Sequence, residues 1–489
     1  MTKFRDMKKF LIYKSLVFVM LVFFTTSCED FFDVNDDPNN PSSSTVELVF
    51  PAGAGSAAYV IGGWYQILGG LWSQHWAQST GAQQYRDFDQ YDIQTTHLDD
   101  RQYGELYAGC LNDLKYVKTL AEQNENWSYY LMASVIQAYV FHVLVDLYES
   151  VPFTDALKGA DETAVLLPAF DNGEDIYKGL IAMLDDGLSK DLTLSTVKTP
   201  GIDDIIFQGD LDMWAKFANT LKLKIYMRVV ETTAMGAWAS SGIQTMYAAN
   251  AEFLSADVTM TAFANEQDRR NPVFETEFDR FGGVNIVASN TLMNFLLNSS
   301  DPRVDGIFNT PQNGGTHVGN DQGDFFNPAF TSAADLSQPA VTGLDPVYFM
   351  STAESYFLQA EAAVRGFGTG NAKALYEMGI DASFAHFGVG GASAFYGSGG
   401  DYEFPTTDDA KIEAIIVQKW VSMANSQGLE SFFEQNRTGY PDFYTISVNS
   451  SWGPTQFPRR LLFPASEYQT NKANVPALKR VYEKMWWHK

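Results

Sequence analysis

The 489-residue chain carries 33 basic against 59 acidic residues, a net charge of −26, and is 45% hydrophobic and 14% aromatic. So acidic a polymer repels nucleic acid and anionic membrane surfaces, and two cysteines exclude a disulfide framework. Length and apolar content suffice for a large core, or two closely packed ones, with aromatic side chains left over for a binding surface.

The first element is an export signal. Lys3, Arg5, Lys8 and Lys9 precede an apolar stretch from Phe10 to Phe24 that contains Lys14, and small residues Thr25-Thr26-Ser27 follow. These 15 residues fall short of the roughly 20 that a membrane-spanning helix needs, so the segment reads as cleaved. Cys28 stands where cleavage belongs. It is predicted to become the lipid-carrying first residue of a lipoprotein, although Thr25 occupies the place where such signals usually have Leu. The alternative is an ordinary secretion signal in which Cys28 is incidental. Translation can start at Met1 or Met7. Loss of residues 1–27 removes five basic residues and one acidic residue, leaving 28 against 58, or −30. Cys110, then without an intrachain partner, reads as a small buried hydrophobe on a helix. No later stretch is judged long enough to span a membrane, so the mature chain is expected to be a soluble body on a tether.

Residues 28–46 are rich in turn formers and lack helical periodicity, which predicts an extended leader. Asp33, Asn35 and Asp37 have the first spacings of a calcium loop. Pro38 replaces its required glycine, and Ser44 stands where the bidentate Glu belongs, so the acids read as solvated and no metal or cofactor is expected.

Helical signals follow in residues 47–489, read as a single domain. Leu106, Cys110, Leu114, Val117 and Leu120-Ala121 recur at spacings of three and four, and Trp127–Tyr148 forms the second arm of a helical hairpin. Further helices are predicted at 176–188, 211–230, 349–363 (Phe349, Ala353, Tyr356, Ala360 and Ala363 on one face), from about Asn371, and at 408–425 with Ile412, Ile415, Ile416, Trp420 and Met423 inward. The turn Gly366–Asn371 follows a helix and reads as a helix stop and restart, not a nucleotide loop. Paired helices with Ala at close-packing positions resemble tetratricopeptide units. This framework covers about 50–235 and 346–440. Residues 250–345 and 388–405, full of Gly, Asn, Asp and Pro, are expected to be long loops with few short strands, where binding sites concentrate.

Several segments in order resemble the SusD/RagB family of outer-membrane nutrient-binding lipoproteins of Bacteroidota, in its shorter SusD-like branch. They are Ala353-Glu354 through Ala360-Glu361-Ala362, Ile415-Ile416-Val417-Gln418-Lys419-Trp420, Glu434-Gln435-Asn436-Arg437-Thr438-Gly439-Tyr440-Pro441, Pro458 to Pro464 with Glu467 and Asn471, and the Asn35–Pro41 leader. Asn436 stands where the family usually has Arg. The resemblance implies a mainly α SusD-like fold, with tetratricopeptide-like hairpins in a right-handed framework carrying a variable binding region. It also implies a SusC-like TonB-dependent transporter as partner, and Glu29-Asp30 as the acidic signal that sends the lipoprotein to the cell surface. Ala353, Glu354, Trp420 and Arg437 read as framework, with Arg437 satisfying carbonyls or a carboxylate inside the fold.

No catalytic constellation stands out. The chain lacks HExxH, GxSxG and CxxC, no two of its six histidines share ligand spacing on a helix, and with so many acids a carboxylate pair carries no information. The expectation is a binding protein that captures an oligosaccharide or a peptide. The alternatives are a helical scaffold on the periplasmic face and a glycan-active enzyme. Flat apolar rings with a few amides hold such ligands. The candidate contacts are Trp64 near the start of the body and Tyr85, Tyr91, Phe325, Phe326 and Tyr396 in loop contexts. Trp72 and Trp76, at helical spacing from Leu68, read as core.

Overall fold

The computed structural model describes residues 44–489 other than Glu162 and Ser195. The export signal, Cys28, Glu29, Asp30 and most of the leader lie outside the described residues.

Helix α1 (Val46–Val60) passes through a widened π-type turn, Ile61–Tyr65, into α2 (Gln66–Trp72). The break falls at Gly63, whose backbone leaves the helical region at φ −106° and ψ −112°. Two further π-type turns, Asp99–Gly104 and Leu106–Leu111, lead into α3 (Asn112–Gln123), which pairs with α4 (Trp127–Tyr148). Every residue of α4 after Trp127 is buried. By length and composition α4 and the Val46–Trp72 run could cross a membrane, which corrects the expectation that no later stretch approaches that length. All of the α4 span is inside the protein, so it is the core helix.

Next come α5 (Gly173–Leu188), α6 (Leu211–Val229) and α7 (Gly236–Ala248), then α8 (Asn290–Asn298), α9 (Thr352–Val364), α10 (Ala372–His386), α11 (Asp408–Ser422), α12 (Gly428–Thr438) and α13 (Ala465–Thr470). Side-chain caps set several starts. Asn172 accepts from the Asp175 amide at 3.0 Å, Asp210 from Met213 at 3.1 Å, Ser351 from Glu354 at 3.2 Å and Asn371 from Ala374 at 3.1 Å. Gly439, at φ +81°, ends α12 in the left-handed conformation that glycine adopts without a steric penalty.

Among the described residues, eight short strands form four antiparallel pairs. β1 (Trp76–Gln78) pairs with β5 (Ile286–Ala288), β2 (Ser150–Val151) with β3 (Asp171–Asn172), β4 (Val258–Met260) with β8 (Val347–Met350), and β6 (Phe308–Asn309) with β7 (Gln338–Pro339). Trp76 is buried as expected, but in a strand. The predicted inward face of α9 is shifted: Tyr356 and Ala363 are half-buried, while Glu354, Phe357, Leu358 and Glu361 are buried.

Those two glutamates belong to an interior ion cluster. Arg228 on α6 donates to Asp146 on α4 at 2.9 Å, to Glu430 on α12 at 2.7 and 2.8 Å, and also to Glu434. Lys224 lies 3.0 Å from Glu354 and 2.9 Å from Glu430, and Lys419 on α11 is 3.3 Å from Glu434. Arg437 grips Glu361 at 2.7 and 2.8 Å and Glu434 at 2.6 and 3.0 Å. A tight backbone crossing brings α12 to this cluster: a methyl built on Gly428 would lie 2.5 Å from the backbone nitrogen of Gly70.

Burial pushes the Glu430 carboxyl upward, but Arg228, Lys224 and Lys419 outweigh it and hold the group at about 2. Glu434 is likewise held well below the usual range, its burial overcome by Arg437, Lys419 and Arg228. Both carboxyls are more acidic folded than unfolded, so their contribution is complete above the ordinary value of 4.5 and is lost as pH falls toward 2. Unfolding free energy measured in urea should therefore drop across that acid window. Glu430→Gln should cost about 3–5 kcal/mol at neutral pH, because it leaves Arg228 and Lys224 short of a charge partner, and should flatten the acid slope. An unchanged slope would remove Glu430 from this role.

Candidate functional site

The six sequence-predicted contacts separate in the structure. Tyr85, Tyr91 and Phe325 are 0%, 1% and 2% exposed, so the loop context that suggested exposure misled. Tyr85 packs edge-on against Trp64 with ring centroids 5.6 Å apart and stacks on Phe88. Tyr91 abuts Phe457, and its hydroxyl accepts from the Ser447 amide at 3.1 Å. Tyr396 is half-buried beside α10, its hydroxyl donating to Asp381, away from the others. Phe326 is 69% exposed. The Arg86 guanidinium lies over it at 4.8 Å and over Phe325 at 5.2 Å. Trp64, half-buried, lines a separate cleft.

The structure adds a groove that the sequence reading passed over. Asn290, Asn294 and Asn298 stand four residues apart on α8 and line a space of about 320 Å³ with Asp321, Phe295 and Phe443. Spacing of four keeps the three amides on one helix face, while Leu292, Met293 and Leu296 bury the other. Asn290 donates to Asp321 at 2.7 Å. The amides of Asn294 and Asn298 have no hydrogen-bond partner among the described side chains, and both residues are exposed. Phe443 is 40% exposed. It is braced from behind by Phe295, stacked at 5.7 Å and 12°, and by Trp420, edge-on at 5.5 Å.

Buried polar groups hold these parts in register. Gln74 accepts from Thr291 at 2.6 Å and from the Thr445 amide at 3.0 Å, and donates to the Thr445 carbonyl at 2.5 Å, tying α8 to the segment that carries Phe443. Asp89 ends the single turn Arg86–Asp89 and is fully buried. Its oxygens accept from the amides of Gln78 and Gly323, both at 2.9 Å, and from the Gln322 carboxamide at 3.0 Å. One carboxylate thereby fastens β1, the turn below Arg86 and the loop that presents Phe326. Burial pushes its pKa up to about 7 against these N–H donors. The segment from Asp321 to Phe326 is at most about 17 Å long, so the exposed ring lies within that distance of the groove's Asp321. An open surface of hydrogen-bonding amides around a rigid ring suits a polyhydroxylated ligand.

A family model described as starch-binding and associating with the outer membrane matches residues 51–464, and the chain belongs to this SusD-like family. It is a family of binding proteins, not enzymes. Solved structures give the same fold over nearly the whole chain. A SusD homolog from Bacteroides uniformis has a TM-score of 0.75 at 21% identity, covering 90% of this chain and 99% of its own. A SusD-like protein from Bacteroides thetaiotaomicron has 0.74 at 24%, covering 91% and 98%. A chitin-binding SusD homolog from Flavobacterium johnsoniae has 0.69 at 21%, covering 90% and 95%. The mainly helical SusD-like architecture expected from the sequence is therefore the one found. No curated protein matches the chain.

Burial separates core from contact surface in a way that melting experiments read directly. Tyr85→Ala should lower the melting temperature by several degrees, since emptying a buried aromatic site costs about 3–5 kcal/mol. Phe326→Ala should stay within about 0.5 kcal/mol of the parent. A Tyr85→Ala protein that melts like the parent would return Tyr85 to the ligand contacts.

Proposed function

We propose that the chain is a cell-surface lipoprotein that captures an oligosaccharide and delivers it to a SusC-like TonB-dependent outer-membrane transporter. The asparagine row of α8 facing the braced ring of Phe443 carries this reading. A carboxamide both donates and accepts, which matches vicinal sugar hydroxyls, and a pyranose presents an apolar face that lies flat on an aromatic ring. The exposed Phe326 under Arg86 offers a second ring within about 17 Å of the groove's Asp321. The starch-binding description of the family and the chitin-binding homolog support a glycan over a peptide. Cys28 carries the lipid in this reading, and Glu29-Asp30 direct the anchored protein outward. Ligand held between the lipoprotein and the barrel mouth favours the closed complex by its differential affinity for closed over open.

Glycan and peptide arrays probed with residues 29–489 distinguish the ligand classes. The expected result is binding to glycans, with Phe443→Ala weakening it about tenfold and Asn294→Ala about fivefold, both at unchanged melting temperature. Binding confined to peptides, or indifferent to both substitutions, would refute the assignment. Protease treatment of intact cells should remove the protein, and Cys28→Ser should release it from the membrane fraction; protection from the protease would place it on the periplasmic face instead.

A further inference from the structure

A second cleft, of about 510 Å³, opens between Trp64, residues 96–102 and the start of α13, and shares no lining residue with the asparagine groove. Two π-type turns build it: Ile61–Tyr65 supplies Trp64, and Asp99–Gly104 supplies Gln102. Such turns are rare and recur at functional sites. Leu98, just ahead of the second turn, is held at φ +60°, which costs a non-glycine residue about 1–3 kcal/mol.

Gln102 is the telling residue. It is only 6% exposed and lines the cleft, yet its carboxamide makes no hydrogen bond to any described residue. The carboxamide is open to the cleft, so the site offers a donor pair and an acceptor to whatever enters. Beside it, Trp64 rests edge-on against Tyr85 and Phe88, with centroids 5.6 and 6.2 Å away. The rest of the indole faces the cleft, and its N–H also has no acceptor among the described residues. The neighbouring acid is already committed: Asp99 accepts from the amide of Ser466 at 2.9 Å and from its hydroxyl at 2.5 Å, which fixes α13 as the far wall. The cleft therefore offers an aromatic wall, the Gln102 carboxamide and the exposed guanidinium of Arg101, with His97 held 3.6 Å from Asp87 and no free carboxylate among its lining residues.

We infer that this cleft is a second saccharide site, in which a pyranose lies against Trp64 and pairs its hydroxyls with Gln102 and Arg101. The inference rests on the glycan-binding reading and extends it from one site to two. Maltotriose and chitotriose, too short to bridge both sites, are the probes, titrated calorimetrically into residues 29–489. The intact protein should bind two equivalents of one of them. Gln102→Leu, which keeps the side chain's bulk and removes its polarity, should weaken one equivalent at least fivefold without lowering the melting temperature. Phe443→Ala should weaken only the other. Trp64→Ala should behave as Gln102→Leu does, and quenching of indole fluorescence by the sugar should vanish with it. Two equivalents unchanged by Gln102→Leu, or a single equivalent lost in Phe443→Ala, would overturn the second site alone. A chain that binds neither trisaccharide would overturn this site and the glycan reading together.

Discussion

Asp146, Glu354, Glu361, Glu430 and Glu434 meet Lys224, Arg228, Lys419 and Arg437 in the interior of the protein, all of them buried. Arg365 closes the network from its edge, pairing with Glu361 at 2.8 Å and with Glu231 at 3.1 Å. Removing so many charges from water is expensive, and their mutual attraction repays it only when each group finds its partners at hydrogen-bonding distance. The cluster therefore acts as a fitting condition. Helices α4, α6, α9, α11 and α12 each contribute at least one member, and moving any of them by a fraction of a turn would leave a charge unpaired. An all-apolar interface of the same size would tolerate such slippage more readily.

That condition sets the site. Three consecutive residues of α11 point to three different tasks: Gln418 accepts from Arg303 at 2.9 Å, Lys419 enters the ion cluster, and Trp420 donates to the Ser73 carbonyl at 2.7 Å. Trp420 also supports Phe443. Helix α12, pinned by Glu430, Glu434 and Arg437, ends at Gly439, and the chain turns there to deliver Phe443 to the groove. The opposite wall hangs on Asp89 and Gln74, whose hydrogen bonds join β1, α8 and the 320–327 loop. A surface of loops is thus held by interior polar groups, and its ring and amides are in place before any ligand arrives, which reduces the ordering cost of binding.

The framework was legible in the sequence because long helices repeat their apolar pattern over several turns. Trp127–Tyr148 and the helices near 176, 211, 352, 372 and 408 were all expected where they are found, and Arg437 does bind carboxylates inside the fold. Helix α1 was missed because its glycines and alanines give little amphipathic contrast, and α7 because its serines and threonines blur the pattern further. Helix α8 was hidden inside a segment dominated by turn formers. Its asparagines look like loop composition, although their spacing of four, opposite Leu292, Met293 and Leu296, is the signal that marks both the helix and the groove. Tyr85, Tyr91 and Phe325 show the converse limit. Loop context predicts exposure only when the loop lies on the surface alone; here the 80–98, 322–327 and 443–457 segments pack on one another and bury the rings between them.

The proposed role of capture and onward delivery would be served by contacts that are numerous and individually weak. On the proposed function, each exposed amide on α8 would exchange water for a sugar hydroxyl at a net gain of about 1 kcal/mol, so selectivity would come from the spacing of the row and not from any one bond. The proposed cleft at Trp64 is built differently, around one largely enclosed glutamine and an indole packed edge-on against two other rings. Trp64 packs on Tyr85 and Phe88, whereas the groove's Phe443 packs on Phe295 and Trp420, so each proposed site rests on its own aromatic support. Separate supports let each site keep its shape when the other fills, so independent binding is the behaviour that the packing favours.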